Sequence, residues 1–108
     1  MPGESWLNVV WTATAWRDLE QAADYIAQDS PAYAASFVGS VRDRARSLDE
    51  LCFRGRVVPG LAEPTVRELL LGSHRLVYEI SGGTVYVLAL IHGARDFARQ
   101  WRRDEHHG

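Results

Sequence analysis

Apolar and polar positions recur with two different spacings along this chain, and the changes of spacing mark its elements. Residues 6–11 (WLNVVW) are β-branched and aromatic, which predicts a short strand. After Thr12 the spacing becomes helical: Trp16, Leu19, Ala23 and Ile26 fall on one side, with Arg17, Asp18, Glu20 and Asp24 elsewhere. Thr12 and Thr14 offer N-cap oxygens for this helix, and Asp18 and Glu20 lie near the positive end of its dipole. It stops around Gln28 or Asp29. Ser30-Pro31, a cap followed by proline at the first helical position, starts a second helix that runs to about Glu50. Its stripe is Ala34, Phe37, Val38, Val41, Ala45 and Leu48; Arg42, Asp43, Arg44 and Arg46 occupy the flanks and read as a solvated face. The short connection makes the pair an antiparallel hairpin, and one apolar stripe on each helix requires a sheet beneath it.

Residues 51–64 (LCFRGRVVPGLAEP) are irregular, punctuated by Gly55, Pro59, Gly60 and Pro64, with Arg54 and Arg56 flanking Gly55 and a brief strand at 57–58. Three strands follow at 66–71, 74–80 and 84–92, separated by turns at Gly72-Ser73 and Ser81-Gly82-Gly83. A last short helix begins at Ala94 or Arg95 and places Phe97 and Trp101 on one side. Strict alternation with two-residue turns puts Leu69, Leu71, Leu76, Tyr78, Ile80, Val85, Val87, Ala89 and Ile91 on one face, with Arg67 at its margin; this face belongs to the helices. The other carries Val66, Glu68, Leu70, Arg75, Val77, Glu79, Tyr86, Leu88, Leu90 and His92. A solvated antiparallel face should be polar. This one mixes large apolar groups with two carboxylates, an arginine and a histidine. The last helix covers part of it, and the remainder is expected as an apolar patch suited to a protein partner.

The fold class is therefore α+β: an N-terminal strand, an antiparallel helical hairpin, antiparallel strands in one sheet, and a short C-terminal helix. At 108 residues the chain makes a single domain with a core at about 6–103. Hydrophobic residues make up 46% and charged residues 24%, the balance of a soluble globular protein. No apolar run approaches the ~20 residues of a membrane helix, and the N-terminus shows no secretory signal, so the expected location is cytoplasmic, without membrane contact. Cys52 is the sole cysteine, which excludes an internal disulfide.

The net charge is −2, and every basic side chain apart from histidine is arginine. Arginine cannot serve as a general base at neutral pH, so acid–base work falls to His, Asp, Glu or Tyr. A strongly basic balance, the usual sign of a nucleic-acid binder, is missing. Arg75, His92 and Arg95 can converge at one end of the second face, a set suited to phosphate binding with one titratable group. Equally, Arg75 can pair with Glu68 across neighbouring strands, and His92 can hydrogen-bond a loop carbonyl. Cys52 reads as inert, no metal-ligand spacing or phosphate-cradling glycine loop is present, and no cofactor is expected. His106 and His107 are assigned no role.

The order of elements resembles the RelE/ParE toxin superfamily of type II toxin–antitoxin systems. The matching residues are Thr12-x-x-Ala15, Tyr25-Ile26, Ala34-Ala35, Gly55-Arg56, Val66-Arg67-Glu68-Leu69, Arg75-Leu76-Val77-Tyr78 and His92-Gly93-Ala94-Arg95-Asp96. They span roughly Val9 to Trp101, and their order and spacing are more specific than any one of them. RelE-like members are ribosome-dependent endoribonucleases that cut mRNA. On that branch Arg75 and Arg95 match the family's arginines and His92 can serve as acid or base, which makes Arg75, His92 and Arg95 the candidate catalytic set. But His92 sits at a position also typical of the ParE-like branch, the strand lysines are missing, with Arg67 and Glu68 in that region, and Trp101 replaces the late tyrosine.

The ParE-like branch is the better match, through the Arg-Glu-Leu strand and the His-Gly-Ala-Arg-Asp motif. Such toxins poison DNA gyrase, without being enzymes, and serve plasmid stabilisation. Resemblance implies a ParD-like antitoxin that folds onto the toxin; the second face offers it Glu68, Leu70, Arg75, Val77, Tyr86, Leu88 and Leu90, and target contacts are expected at Arg95, Arg99 and Trp101. The toxin alone is not expected to bind DNA. The leading expectation is thus a gyrase-inhibiting toxin. The alternatives are a RelE-like nuclease acting on ribosome-bound mRNA and a detoxified member active only in complex assembly and autoregulation.

Overall fold

Capping sets where the helices begin, as the sequence predicts. The computed structural model describes residues 8–93. The first strand, β1, spans Asn8–Trp11 and leads into α1, Ala13–Ala27. Thr12 caps α1: its Oγ1 accepts from the Ala15 amide at 3.2 Å and donates to the Val87 carbonyl at 2.8 Å, fastening the helix start to the sheet. Ser30 caps α2, Pro31–Arg46, through a 3.1 Å bond from the Tyr33 amide. The second helix is shorter than its pattern suggested and tightens into a 3₁₀ turn at Ser47–Asp49.

The strands β2 (Arg56–Val57), β3 (Val66–Leu71), β4 (His74–Ser81) and β5 (Thr84–His92) complete a five-stranded sheet in the order β1-β5-β4-β3-β2. It is mixed: β1 lies parallel to β5 and the other neighbours are antiparallel. The two turns have the expected two-residue length, and Gly82 and Gly83 take φ of 56° and 80°. Among the described residues, no helix is long and apolar enough to cross a membrane. The expected last helix and the beginning of the first strand lie outside the described residues.

The hairpin packs on one face. Leu19 from α1, Val41 and Ala45 from α2, and Leu48 join Leu69, Leu76, Tyr78, Val85, Val87 and Leu90 in the main core. Each fully buried leucine here contributes about 1.5–3 kcal/mol by leaving water.

The strict alternation expected of β5 fails at one point. Tyr78 pairs with Val87 but Val77 pairs with Ala89, so Leu88 is an extra residue in a bulge. Past it every side chain changes face. Leu90 and His92 therefore lie on the helix side, opposite Leu76 and His74, while Ala89 and Ile91 join the second face opposite Val77 and Arg75. Beyond Trp11 no β1 residue remains to pair with β5, and the Leu90 amide donates instead to Asp18 Oδ2 at 3.1 Å.

The second face is also less open than expected. Val58 and Leu61, from the irregular segment, fold over Val66, Val77, Ala89 and Ile91 to make a second small core, with Leu88 at its edge.

Candidate functional site

At the centre of the second face is a buried carboxylate between two arginines. Glu68 on β3 is 1% exposed. Its Oε1 accepts from Arg75 NH1 at 2.9 Å and its Oε2 from Arg56 Nε at 2.7 Å. The sheet register places all three: Arg56 is opposite Glu68 on β2, and Arg75 on β4 lies two pairs along, opposite Leu70 and therefore on the same face. Arg75 also donates through Nε to the Gly93 carbonyl at 3.2 Å. Of the two arginines, Arg75 is the enclosed one, with its side chain 14% exposed against 56% for Arg56. A carboxylate this deep requires such partners, because an uncompensated charge would cost several kcal/mol.

The loop before β2 is fixed from beneath by Tyr78. Its Oη accepts from the Gly55 amide at 2.9 Å and donates to the Cys52 carbonyl at 2.7 Å. Burial pushes the phenol above its ordinary value, outweighing the opposing Gly55 bond and the nearby Arg67 and Arg54 charges, so the hydroxyl keeps its proton and goes on donating. Arg67 closes the same loop with bonds to the carbonyls of Pro64, Phe53 and Gly55.

On the helix side, an open groove of about 990 Å³ runs between the hairpin and the ends of β3–β5. Phe37, Leu71 and Leu90 line it, together with the rings of His74 and His92, which pack in a row with that of Phe37. His74 lies 4.9 Å from Phe37 and 4.7 Å from His92, centroid to centroid. Burial first, and the neighbouring His92 second, hold His74 below its ordinary 6.5. The folded state thus binds fewer protons than the unfolded one as pH falls through 6.5. The contribution of neutral His74 is complete above that value and is lost as pH drops through its lower folded pKa. Melting curves at pH 7.5 and 5.5 should show a fall on acidification that shrinks in His74→Gln; an equal fall in that variant would place the titration elsewhere.

These positions sort the expected site residues. Glu68 and Arg75 meet directly, as the pairing reading had it. Arg75 and His92, expected at one end of one face, lie on opposite faces because of the Leu88 bulge. Among the residues expected to receive an antitoxin, Val77 is fully buried within the second core and Leu90 lies 6% exposed on the helix side. Leu70 and Tyr86 remain open at 50% and 37%, and Leu88 is half-buried. Arg95, Arg99 and Trp101 lie outside the described residues. Arg56 was missed as a partner of Glu68; the Gly55-Arg56 pair among the matching motifs was the available signal. Among the described residues no three His, Cys, Asp or Glu side chains gather where a metal ion could be held.

A solved chain titled "Chromosomal ParDE TA system from P. aeruginosa" shares this fold, with a TM-score of 0.70 and 21% sequence identity over 84% of this chain and 100% of that one. No curated protein matches the sequence. The family model described as "ParE toxin of type II toxin-antitoxin system, parDE" matches residues 9–97. That match takes in every described element from β1 to β5 except the first residue of β1, and this chain belongs to the ParE toxin family of type II toxin–antitoxin systems.

Proposed function

We propose that the protein is a toxin that inhibits DNA gyrase by trapping its cleaved DNA complex, that it does so in the cytoplasm without being an enzyme, and that a ParD-like antitoxin neutralises it. One observation carries the choice over mRNA cutting: Arg75 and His92 face opposite sides of the sheet. An arginine that steadies a phosphate and a histidine that moves its proton must reach one phosphodiester, with heavy atoms at hydrogen-bond distance. Arg75 is in addition tied to Glu68 under cover of the sheet. The antitoxin segment has Leu70, Tyr86 and Leu88 left to cover on the second face. An antitoxin partner is also in keeping with the ParDE system to which the similar fold belongs.

Induced expression without antitoxin tests this. Gyrase–DNA cleavage complexes should accumulate while mRNA stays intact, and co-expressed antitoxin should restore growth. Rapid cutting of ribosome-bound mRNA would overturn the proposal in favour of a nuclease. Absence of any growth defect would leave complex assembly and autoregulation as the function.

A further inference from the structure

The segment between α2 and β3 is tightly anchored, yet it holds large apolar side chains in water. Tyr78 and Arg67 together bind its backbone at Cys52, Phe53, Gly55 and Pro64. A 3.0 Å bond from the Arg54 amide to the Leu51 carbonyl closes the turn between them. Despite this, Leu51, Phe53 and Val57 are 55%, 60% and 39% exposed. Phe53 and Val57 meet at Arg67: its guanidinium lies 4.9 Å from the Phe53 ring centroid, and Val57 pairs with Arg67 across β2 and β3. Apolar groups held out in this way commonly mark a protein contact, and the anchoring means little order remains to be imposed on binding.

Charge narrows the kind of partner. Arg67, against the Phe53 ring, and Arg54, next to Phe53 in the chain, belong to this surface, whereas Arg56 faces the other side of the sheet with Glu68; the one acid within residues 51–67 is Glu63, in a chain whose net charge is −2. The patch is thus basic on an acidic molecule, with an aromatic side chain amid the arginines. We propose that this loop surface contacts the target enzyme, and that it fits an acidic protein surface with an apolar recess for Phe53. The inference rests on the gyrase reading above. An acidic protein surface suits the patch better than nucleic acid. Phosphate gripping needs many uncommitted cations. Here Arg67 already donates to three carbonyls, Arg56 to Glu68, and Arg54 to Ser47 Oγ. Phe53 and Val57, by contrast, would be left unburied on a phosphate backbone.

Purified wild type, Phe53→Ser and Arg54→Glu are compared for the gyrase–DNA cleavage complex they trap, with Tyr33→Ser as a control, an exposed aromatic on the hairpin. Melting midpoints confirm that the variants fold. With wild-type midpoints, Phe53→Ser and Arg54→Glu should each need at least about tenfold more protein for the same trapping, the size expected of a contact hot spot, while Tyr33→Ser matches wild type. Full trapping by both loop variants overturns the inference and leaves the gyrase reading intact. A loss shared equally by Tyr33→Ser also overturns it. Wild type that traps nothing removes the gyrase reading and this inference with it. Binding of wild type to a bare DNA duplex, abolished in Arg54→Glu, would replace the acidic protein with nucleic acid.

Discussion

Gly55→Ala is expected to lower the unfolding free energy by about 3 kcal/mol, seen as a lower urea midpoint at unchanged slope. The reason is space, since Gly55 does not have a positive φ. A Cβ at this position would come within 2.6 Å of Tyr78 Oη, 2.8 Å of the Glu68 carbonyl and 2.9 Å of Tyr78 Cε1. Neither neighbour can move aside readily: Tyr78 is fully buried in the main core, and the Glu68 carbonyl belongs to a central run of β3. Pushing the loop outward instead would break the Tyr78 bonds to Gly55 and Cys52. Tyr78→Phe separates the two contributions. Alone it should cost about 2 kcal/mol, because it strands the Gly55 amide and the Cys52 carbonyl. With the hydroxyl gone, the methyl introduced by Gly55→Ala loses its nearest clash, so the double variant should be more stable than the summed single effects imply. A Gly55→Ala variant within about 0.5 kcal/mol of wild type, the range of an ordinary surface change, would mean that the loop stands off the sheet.

The same region shows what the sequence could reveal and what it could not. Thr12, Ser30-Pro31 and the Gly82-Gly83 turn were legible because each marks a backbone event with a residue suited to it. The pairing of Arg75 with Glu68 was legible because an arginine in an apolar sheet needs a partner. The bulge at Leu88 was not. Every residue from Val85 to Ile91 is apolar or aromatic, so alternation carries no mark of where one residue is added. That single residue turned Leu90 and His92 to the helices and separated His92 from Arg75. Nor did the irregular segment announce Val58 and Leu61 as a cover for the second face, since their packing depends on a turn held by tertiary bonds from Tyr78 and Arg67. Arg56 could be recognised as Glu68's second partner only once the two-residue pairing of β2 was known.

Glu68→Ala is expected to be the most damaging change on the second face, at about 3–5 kcal/mol, because it leaves the enclosed Arg75 without its counter-charge. The two arginines should respond unequally. Arg75→Ala should cost a similar amount, while Arg56→Ala should cost only about 1 kcal/mol, since its side chain is more than half exposed and Glu68 would keep Arg75. Equal effects at the two positions would mean that exposure does not govern the cluster. The apolar double replacement Glu68→Leu with Arg75→Leu should recover most of the lost stability, because no buried charge is then left unpaired. That stable double variant also bears on function in a way that Arg75→Ala does not, since loss of activity in the single variant can reflect unfolding alone. If Arg75 serves the fold, the double variant should still trap gyrase–DNA complexes. If Arg75 contacts a phosphodiester during RNA cutting, the folded double variant should be inactive, and the non-catalytic account of this toxin would fail on that result.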